Sequence, residues 1–322
     1  MSIVLTGSIA FDYLMSFPGY FKDHILPEHL ESISLSFLVD EMVKRPGGVA
    51  ANIAYTLGLL CEKPHLVGTA GVDFNDYRQM LEEAGVDTAG VKIIKDKFTA
   101  SFFANTDQSN AQIASFYAGA MANAGEINIK DLGLSKDDLV MISPNAPDAM
   151  IQYALECQEL GIPYIFDPSQ QVVRLDEEGL KKGITGAHAL FANEYEFELI
   201  QKHSKLSADE IMDCVEFAVI TLGEKGSRIY ADGKLIGEVP TFPPAQIKDP
   251  TGVGDAFRAG FLKGYMNGFD LLLCAQMGAL AATYCLEEMG TQTHCYCMKD
   301  FVTRFRTEFD DKSALDKLLQ GA

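Results

Sequence analysis

The sequence predicts an α/β fold: a three-layer α/β/α sandwich on a mostly parallel central sheet, with a small β-sheet lid. Three observations predict it. Apolar runs of strand length (SIVLTGSI, PHLVGTAG, LVMISP, PYIFDPS, HALFANE and FAVITLG) recur along the chain, each followed by a segment of helical spacing. That alternation marks a parallel sheet covered by helices on both faces. Two other stretches change to short, more polar patterns of period two. Finally, 322 residues that are 48% hydrophobic carry enough apolar surface for one large core plus an elaboration. We expect one domain over 1–322, its lid assembled discontinuously from about 13–46 and 95–120.

The opening, MSIVLTGSIAFDYLM, is apolar but has no basic leader, and Gly7 and Asp12 interrupt it well short of a membrane-spanning length. It reads as a buried strand, and a cytoplasmic location is expected. The stretch PEHLESISLSFLVDEMVKR follows, and its alternating ISLSF portion suits a further strand of the lid. In FTASFFANT, the residues Phe98, Ala100, Phe102 and Ala104 share one face; in AQIASFYAG, Gln112, Ala114, Phe116 and Ala118 do the same. With NTDQSN between them, these read as a hairpin. A small sheet with one apolar face must cover it with substrate, core or a second copy, so a homodimer through the lid is expected. The last residues, TRFRTEFDDKSALDKLLQGA, read as one terminal amphipathic helix.

A net charge of -19 would repel a nucleic-acid backbone, whose binding depends on Lys and Arg. A small anionic substrate is repelled at long range too, so its site must rely on helix N-terminal N–H groups, a few basic side chains and cations. Seven scattered cysteines suit reduced thiols. His294, Cys295 and Cys297 cluster, but no second ligand pair stands at a workable spacing for metal.

The strongest chemical signal is DPTGVGDAFRAGFLKGY, from Asp249 to Tyr265. Gly252 and Gly254 permit a tight turn, and Ala256, Phe257, Ala259, Gly260 and Leu262 start a helix. The N–H groups of Gly252, Val253 and Gly254 are thereby delivered to a helix N-terminus, an anion site by geometry and dipole. Asp255 in the first turn faces that site. A carboxylate beside an anion hole suits a general base that takes the proton of an attacking hydroxyl. Asp at such a position also caps helices, and the local pattern leaves both readings open. The second glycine-rich stretch is RPGGVAANIAYTLGLL, where Gly47 and Gly48 permit close approach of a ligand and Asn52 can donate and accept toward a diol. Small residues at a helix start also serve packing.

Together GGVAANIAYTLG and DPTGVGDAFRAGF, about 200 residues apart, resemble the two signatures of the ribokinase-like (PfkB-type) carbohydrate and nucleoside kinases, a likeness that runs along essentially the whole chain. GSIAFDYLMSFP, LSFLVD, NAQIASFYAGAM and DPSQQ look like the bacterial adenosine kinases of the mycobacterial type in particular. The resemblance implies ATP-dependent phosphorylation of the 5′-hydroxyl of adenosine, with Asp255 as base and Arg174 on the moving phosphoryl group. It places Asp12, helped by Ser8, Gly48 and Asn52, on the ribose hydroxyls. Phe102 and Phe116 then sandwich the base, with Gln112, Gln170 and Gln171 as polar contacts. Asn193 to Glu196 match an NExE motif associated with magnesium and phosphate. TLGEKG, with Thr221, Gly223 and Gly226, resembles the ATP loop. Potassium beneath the anion hole is a further expectation.

Each residue also has a plainer reading: Asp12 as a turn residue, the phenylalanines as core, Glu194 and Glu196 as a helix start, Arg174 as a surface ion pair. Competing functions are a sugar kinase or other nucleoside kinase of the same family, and a catalytically silent nucleoside-binding relative. A dinucleotide-dependent oxidoreductase is disfavoured because no GxGxxG follows the first strand.

Overall fold

The computed structural model describes residues 2–25, 31 and 34–320. In chain order the first elements are β1 (Ile3–Thr6), β2 (Ala10–Ser16), β3 (Glu41–Gly47), α1 (Val49–Leu59), β4 (His65–Ala70), α2 (Asn75–Glu83), β5 (Val91–Ile93), β6 (Ala100–Thr106), β7 (Gln112–Tyr117) and β8 (Leu139–Ile142). There follow α3 (Pro147–Leu160), β9 (Tyr164–Phe166), α4 (Glu177–Ile184), β10 (Ala189–Asn193), α5 (Glu194–Ser204), α6 (Ala208–Asp213) and β11 (Phe217–Thr221). The chain continues through β12 (Ser227–Ala231), β13 (Lys234–Val239), α7 (Val253–Met266), α8 (Leu271–Leu286), α9 (Met298–Phe305) and α10 (Asp316–Leu319).

The expected α/β architecture is present. A nine-stranded sheet runs β13-β12-β11-β10-β9-β8-β1-β4-β5, parallel from β5 to β11, with β12 and β13 closing one edge antiparallel. Its central strands are buried on both faces: Ile3 and Leu5 of β1 enter one apolar core with α1 and α7, while Val4 enters the other with α3. Strand order reverses about β1, which pairs with β4 on one side and β8 on the other. Open parallel sheets bind ligands at the carboxyl ends of strands flanking such a reversal.

The small four-stranded sheet, β3-β2-β6-β7, stands over that edge. The expected hairpin is β6–β7, and its register sets Phe102 directly opposite Phe116. Even-numbered residues of β2 turn one way, and on the other face Tyr13 stacks on Phe103 at 4.8 Å.

Three expectations are corrected. The opening segment is not one strand: it breaks at Gly7–Ile9 into β1 and β2, which belong to different sheets, so Asp12 lies within a strand and not in a turn. Of ISLSF, Ser34 to Phe37 is not in a strand and Ile33 lies outside the described residues. The edge strand is instead EMVKRPG, whose direct partner β2 sets its register. The terminal segment is not one helix: α9 ends at Phe305, and after an intervening turn α10 contributes a single turn. The Arg306 guanidinium fixes that turn by bonding both Asp311 and Asp316.

Candidate active site

Gly252 is the N-cap of α7 in the left-handed conformation (φ 78°), so Val253 and Gly254 begin the helix and their N–H groups are free of intrahelical partners. A Cβ at position 252 would meet Thr291 at 2.8 Å, so glycine is required for both backbone and space. No side chain caps this helix, which removes the capping reading of Asp255. Its carboxylate instead accepts a hydrogen bond from Asn52 Nδ2 at 2.8 Å. On α1, Gly48 is the counterpart: at φ 92° its absent Cβ leaves room for Ser8 O, which would be 2.5 Å away. Val49 N donates to Ser8 Oγ at 3.0 Å, which seats the first turn of α1 on the end of β1.

These two helix starts, the end of β8 and the inner face of the small sheet enclose a cavity of about 1090 Å3. Its lining includes Ser8, Asp12, Gly48, Asn52, Phe102, Gln112, Phe116, Gln170, Gln171, Arg174, Gly252 and Asp255. Twelve expected residues separated by most of the chain therefore share one space. Val253 and Gly254 are not among the lining residues. Nor are Asn193, Thr221, Gly223 and Gly226, which continue along the same edge of the sheet. Asn193 at the end of β10 pairs with Thr221 at the end of β11, and the two glycines flank the turn into β12.

Glu196 is engaged elsewhere. It closes a capping box on α5, its Oε2 accepting from Asn193 N at 2.8 Å while Asn193 Oδ1 accepts from Glu196 N at 2.7 Å. Its Oε1 accepts from Ser169 Oγ at 3.0 Å. The helix-start reading of this motif is thus realised. Asn52 commits one N–H of its amide to Asp255, and its second N–H is not taken by that bond.

Electrostatics distinguish two carboxylates. Burial pushes Asp255 up to about 6, opposed by the Arg258 guanidinium and the Asn52 hydrogen bond and reinforced by Asp167 and Glu196. Burial likewise pushes Asp12 up to about 6, opposed by Arg45 and reinforced by Asp249. Both cavity carboxylates titrate near the range where a base works.

Several structurally central residues were not anticipated. Arg258 forks onto Asp167, with Nε bonded to Oδ2 and Nη2 to Oδ1 at 2.9 Å, and Nη1 donates to Gly254 O at 3.1 Å. Asp167 is fully buried and Arg258 nearly so. The sequence does carry one sign of this pair: Asp167 is a lone charge in an apolar run, and a buried charge demands a partner. Arg45 on β3 bonds Asp249 at 3.2 Å, and Asp249 also accepts from Thr251 N and Gly290 N. Nothing local in the sequence pairs these.

Among the described residues no group of three His, Cys, Asp or Glu is placed to hold a metal ion. His294 is buried, its Nε2 within 3.1 Å of Thr56 Oγ1, and burial pushes it down to about 4. No helix among the described residues is long and apolar enough to cross a membrane.

The profile of the pfkB family of carbohydrate kinases matches residues 21–296, which includes both glycine turns. A nucleoside kinase of Methanocaldococcus jannaschii is 30% identical over 294 residues, covering 91% of this chain and 92% of that one. Among solved structures, the ligand-free nucleoside kinase of Burkholderia thailandensis superposes with a TM-score of 0.85 at 33% identity, covering 94% of this chain and 100% of that chain. The same protein in complex with inosine gives 0.81 at 33% identity, covering 96% and 98%. With this likeness running through the helix that bears Asp255, the chain belongs to the pfkB family of carbohydrate kinases and is a phosphotransferase acting on a hydroxyl of a nucleoside or sugar.

Proposed function

We propose that the chain is an adenosine kinase, transferring the γ-phosphoryl group of ATP to the 5′-hydroxyl of adenosine to give AMP and ADP. The observation that carries this reading is the content of one cavity: Asp12 and the opposed pair Phe102 and Phe116 at one end, Asp255 and the α7 N-terminus at the other. A cavity of about 1090 Å3 is large for a free pentose, and two neighbouring aromatic side chains in its lining suit a flat base.

In this reading Asp12 accepts hydrogen bonds from the ribose diol, and Ser8 and Gly48 border it. Phe102 and Phe116 stack on the base, with Gln112, Gln170 and Gln171 orienting its polar edge; Gln171 is buried and its Oε1 lacks a partner. Asp255 takes the 5′-hydroxyl proton as the oxygen forms its bond to the γ-phosphorus, and the bond from that phosphorus to the bridging oxygen breaks to release ADP. The N–H groups of Gly252, Val253 and Gly254 receive the migrating charge, and Arg174, exposed at the cavity wall, contacts the moving phosphoryl group. Asn193, Thr221, Gly223 and Gly226 border the nucleotide along the continuing sheet edge.

Glu196 would reach magnesium only through a water, since its two oxygens already accept from Asn193 N and Ser169 Oγ. Magnesium usually keeps its waters and binds through substrate phosphates, so it would enter with ATP; no step here depends on a protein ligand to it. Potassium would be held beneath the anion hole by backbone oxygens, which need no charged side chain. Potassium activation, proposed on family likeness alone, predicts a rate lost when a bulky organic cation replaces potassium. The outer face of the small sheet leaves Met42 61% and Ile113 43% exposed, which supports a homodimer through it; a monomeric mass in sedimentation at micromolar concentration contradicts that.

A second reading, a broader purine nucleoside kinase, is favoured by the inosine bound to the Burkholderia relative, because side-chain amides can pair with either base. Coupled kinetics across adenosine, inosine, guanosine, cytidine, ribose and fructose decide. Highest kcat/KM for adenosine supports the proposal, for inosine the second reading, and for a free sugar neither.

A further inference from the structure

A line of hydrogen bonds runs from α2 through the loop after α8 and through α1 to the carboxylate on α7, and its donors and acceptors fix its direction. Tyr77, buried on α2, donates its hydroxyl to Gly47 O at 2.9 Å; burial pushes this phenol far above its ordinary range, so it stays protonated. Its oxygen is left needing a donor. Gln292 supplies one through Nε2 at 2.6 Å, and the same nitrogen donates to Asn52 Oδ1 at 2.7 Å. With its oxygen held there, Asn52 can present only its NH2 to Asp255 Oδ2, at 2.8 Å. Gln292, Asn52 and Tyr77 are all buried. The Gln292 Oε1 has no partner, so the donor end of this side chain is what the site uses.

We infer that Gln292 is a positioning residue for phosphoryl transfer: by donating to Asn52 it fixes which end of that amide faces Asp255, and so keeps the carboxylate oriented and ionised. This rests on the proposed role of Asp255 as base. Without the Gln292 donor the Asn52 amide is free to reverse. Its oxygen would then oppose the Asp255 carboxylate, an acceptor against an acceptor, which only protonation relieves. The other groups around Asp255 are Arg258 on α7, Asp167 after β9, Glu196 on α5, Tyr77 on α2 and Cys285 on α8. Of these only Arg258 carries positive charge, so loss of the Asn52 donor is not replaced.

The test compares wild type, Gln292→Met and Asp255→Asn by steady-state kinetics with adenosine and ATP from pH 5 to 9, with thermal melting to establish folding. Gln292→Met keeps the volume and removes the donor. We expect kcat to fall about 10- to 100-fold with nucleoside KM changed by less than about threefold. The acid limb of kcat/KM should also move to higher pH, so that part of the loss is recovered in alkali. A folded Gln292→Met enzyme with wild-type kcat and acid limb overturns the inference. If Asp255→Asn itself retains wild-type turnover, it is the base assignment that fails. Should Gln292→Met not fold, Gln292→Glu replaces it: the protonated acid still donates and the ionised form cannot, so its rate relative to wild type should decline as pH rises. A flat ratio overturns the inference.

Discussion

At the phosphoryl end of the cavity, Asp255 is held by Asn52, flanked by the Arg258–Asp167 ion pair and set on a helix whose cap is fixed by packing against Thr291. At the end proposed for the base, Phe102 and Phe116 are cross-strand neighbours on the β6–β7 hairpin, yet Phe116 is 51% exposed and every residue of β7 lies at the surface. One end is complete before any ligand arrives; the other is a surface that a ligand or a second copy must finish. Preorganised groups belong where charge develops, because their orientation then costs nothing during reaction. Exposed aromatic strands belong where a neutral, flat ligand has to enter and be covered.

That contrast can be broken most sharply at the phosphoryl end. Asp255→Asn should reduce kcat by roughly two to four orders of magnitude, with nucleoside affinity measured by calorimetry changed little; strong loss of affinity would move Asp255 from chemistry to binding. Asp12→Asn should act through binding instead, lowering kcat/KM for adenosine about 100-fold mainly through KM, while 2′,3′-dideoxyadenosine discriminates weakly between the two proteins. An equal loss for the dideoxy compound would dismiss the diol clamp. Phe116→Ala should raise KM about tenfold, as expected for removing one stacked ring, and leave kcat within about threefold.

The smallest effect concerns stability and carries the opposite sign. Asp255 binds its proton more tightly in the folded chain, near 6, than the ordinary carboxylate does when unfolded. That contribution to folding is therefore full below about pH 4 and is lost progressively as pH rises from there through 6. Asp255→Asn removes the buried charge and should stabilise the protein by about 1–3 kcal/mol at pH 8, with little difference below pH 4. Melting curves of the two proteins at both pH values measure it.

The same division governs what could be read from sequence. The apolar runs that became β1, β4 and β8 to β11 are continuous and buried on both sides, so periodicity alone exposes them. Asp255, Gly252 and Gly48 are legible because a left-handed cap and a close backbone approach admit only glycine, and such constraints are local. Ser8, Asp12 and Phe116 needed family likeness to join them. What stayed hidden depends on distant partners. Arg45 and Asp249 meet only once β3 is laid beside the loop before α7, and Gln292 reaches Asn52 only after the last helices dock. The break at Gly7–Ile9 is not legible, because an apolar run that passes from one sheet into another keeps the same pattern throughout.

The pH dependence of kcat at saturating adenosine and ATP tests the central claim most directly, because saturation removes the contribution of Asp12 to binding. A plateau in the alkaline range is expected, with a fall of about tenfold per pH unit on the acid side as Asp255 in the ternary complex takes up its proton, and a flat residual rate in Asp255→Asn. An acid limb that persists unchanged in Asp255→Asn would contradict it, for another group would then be taking the proton.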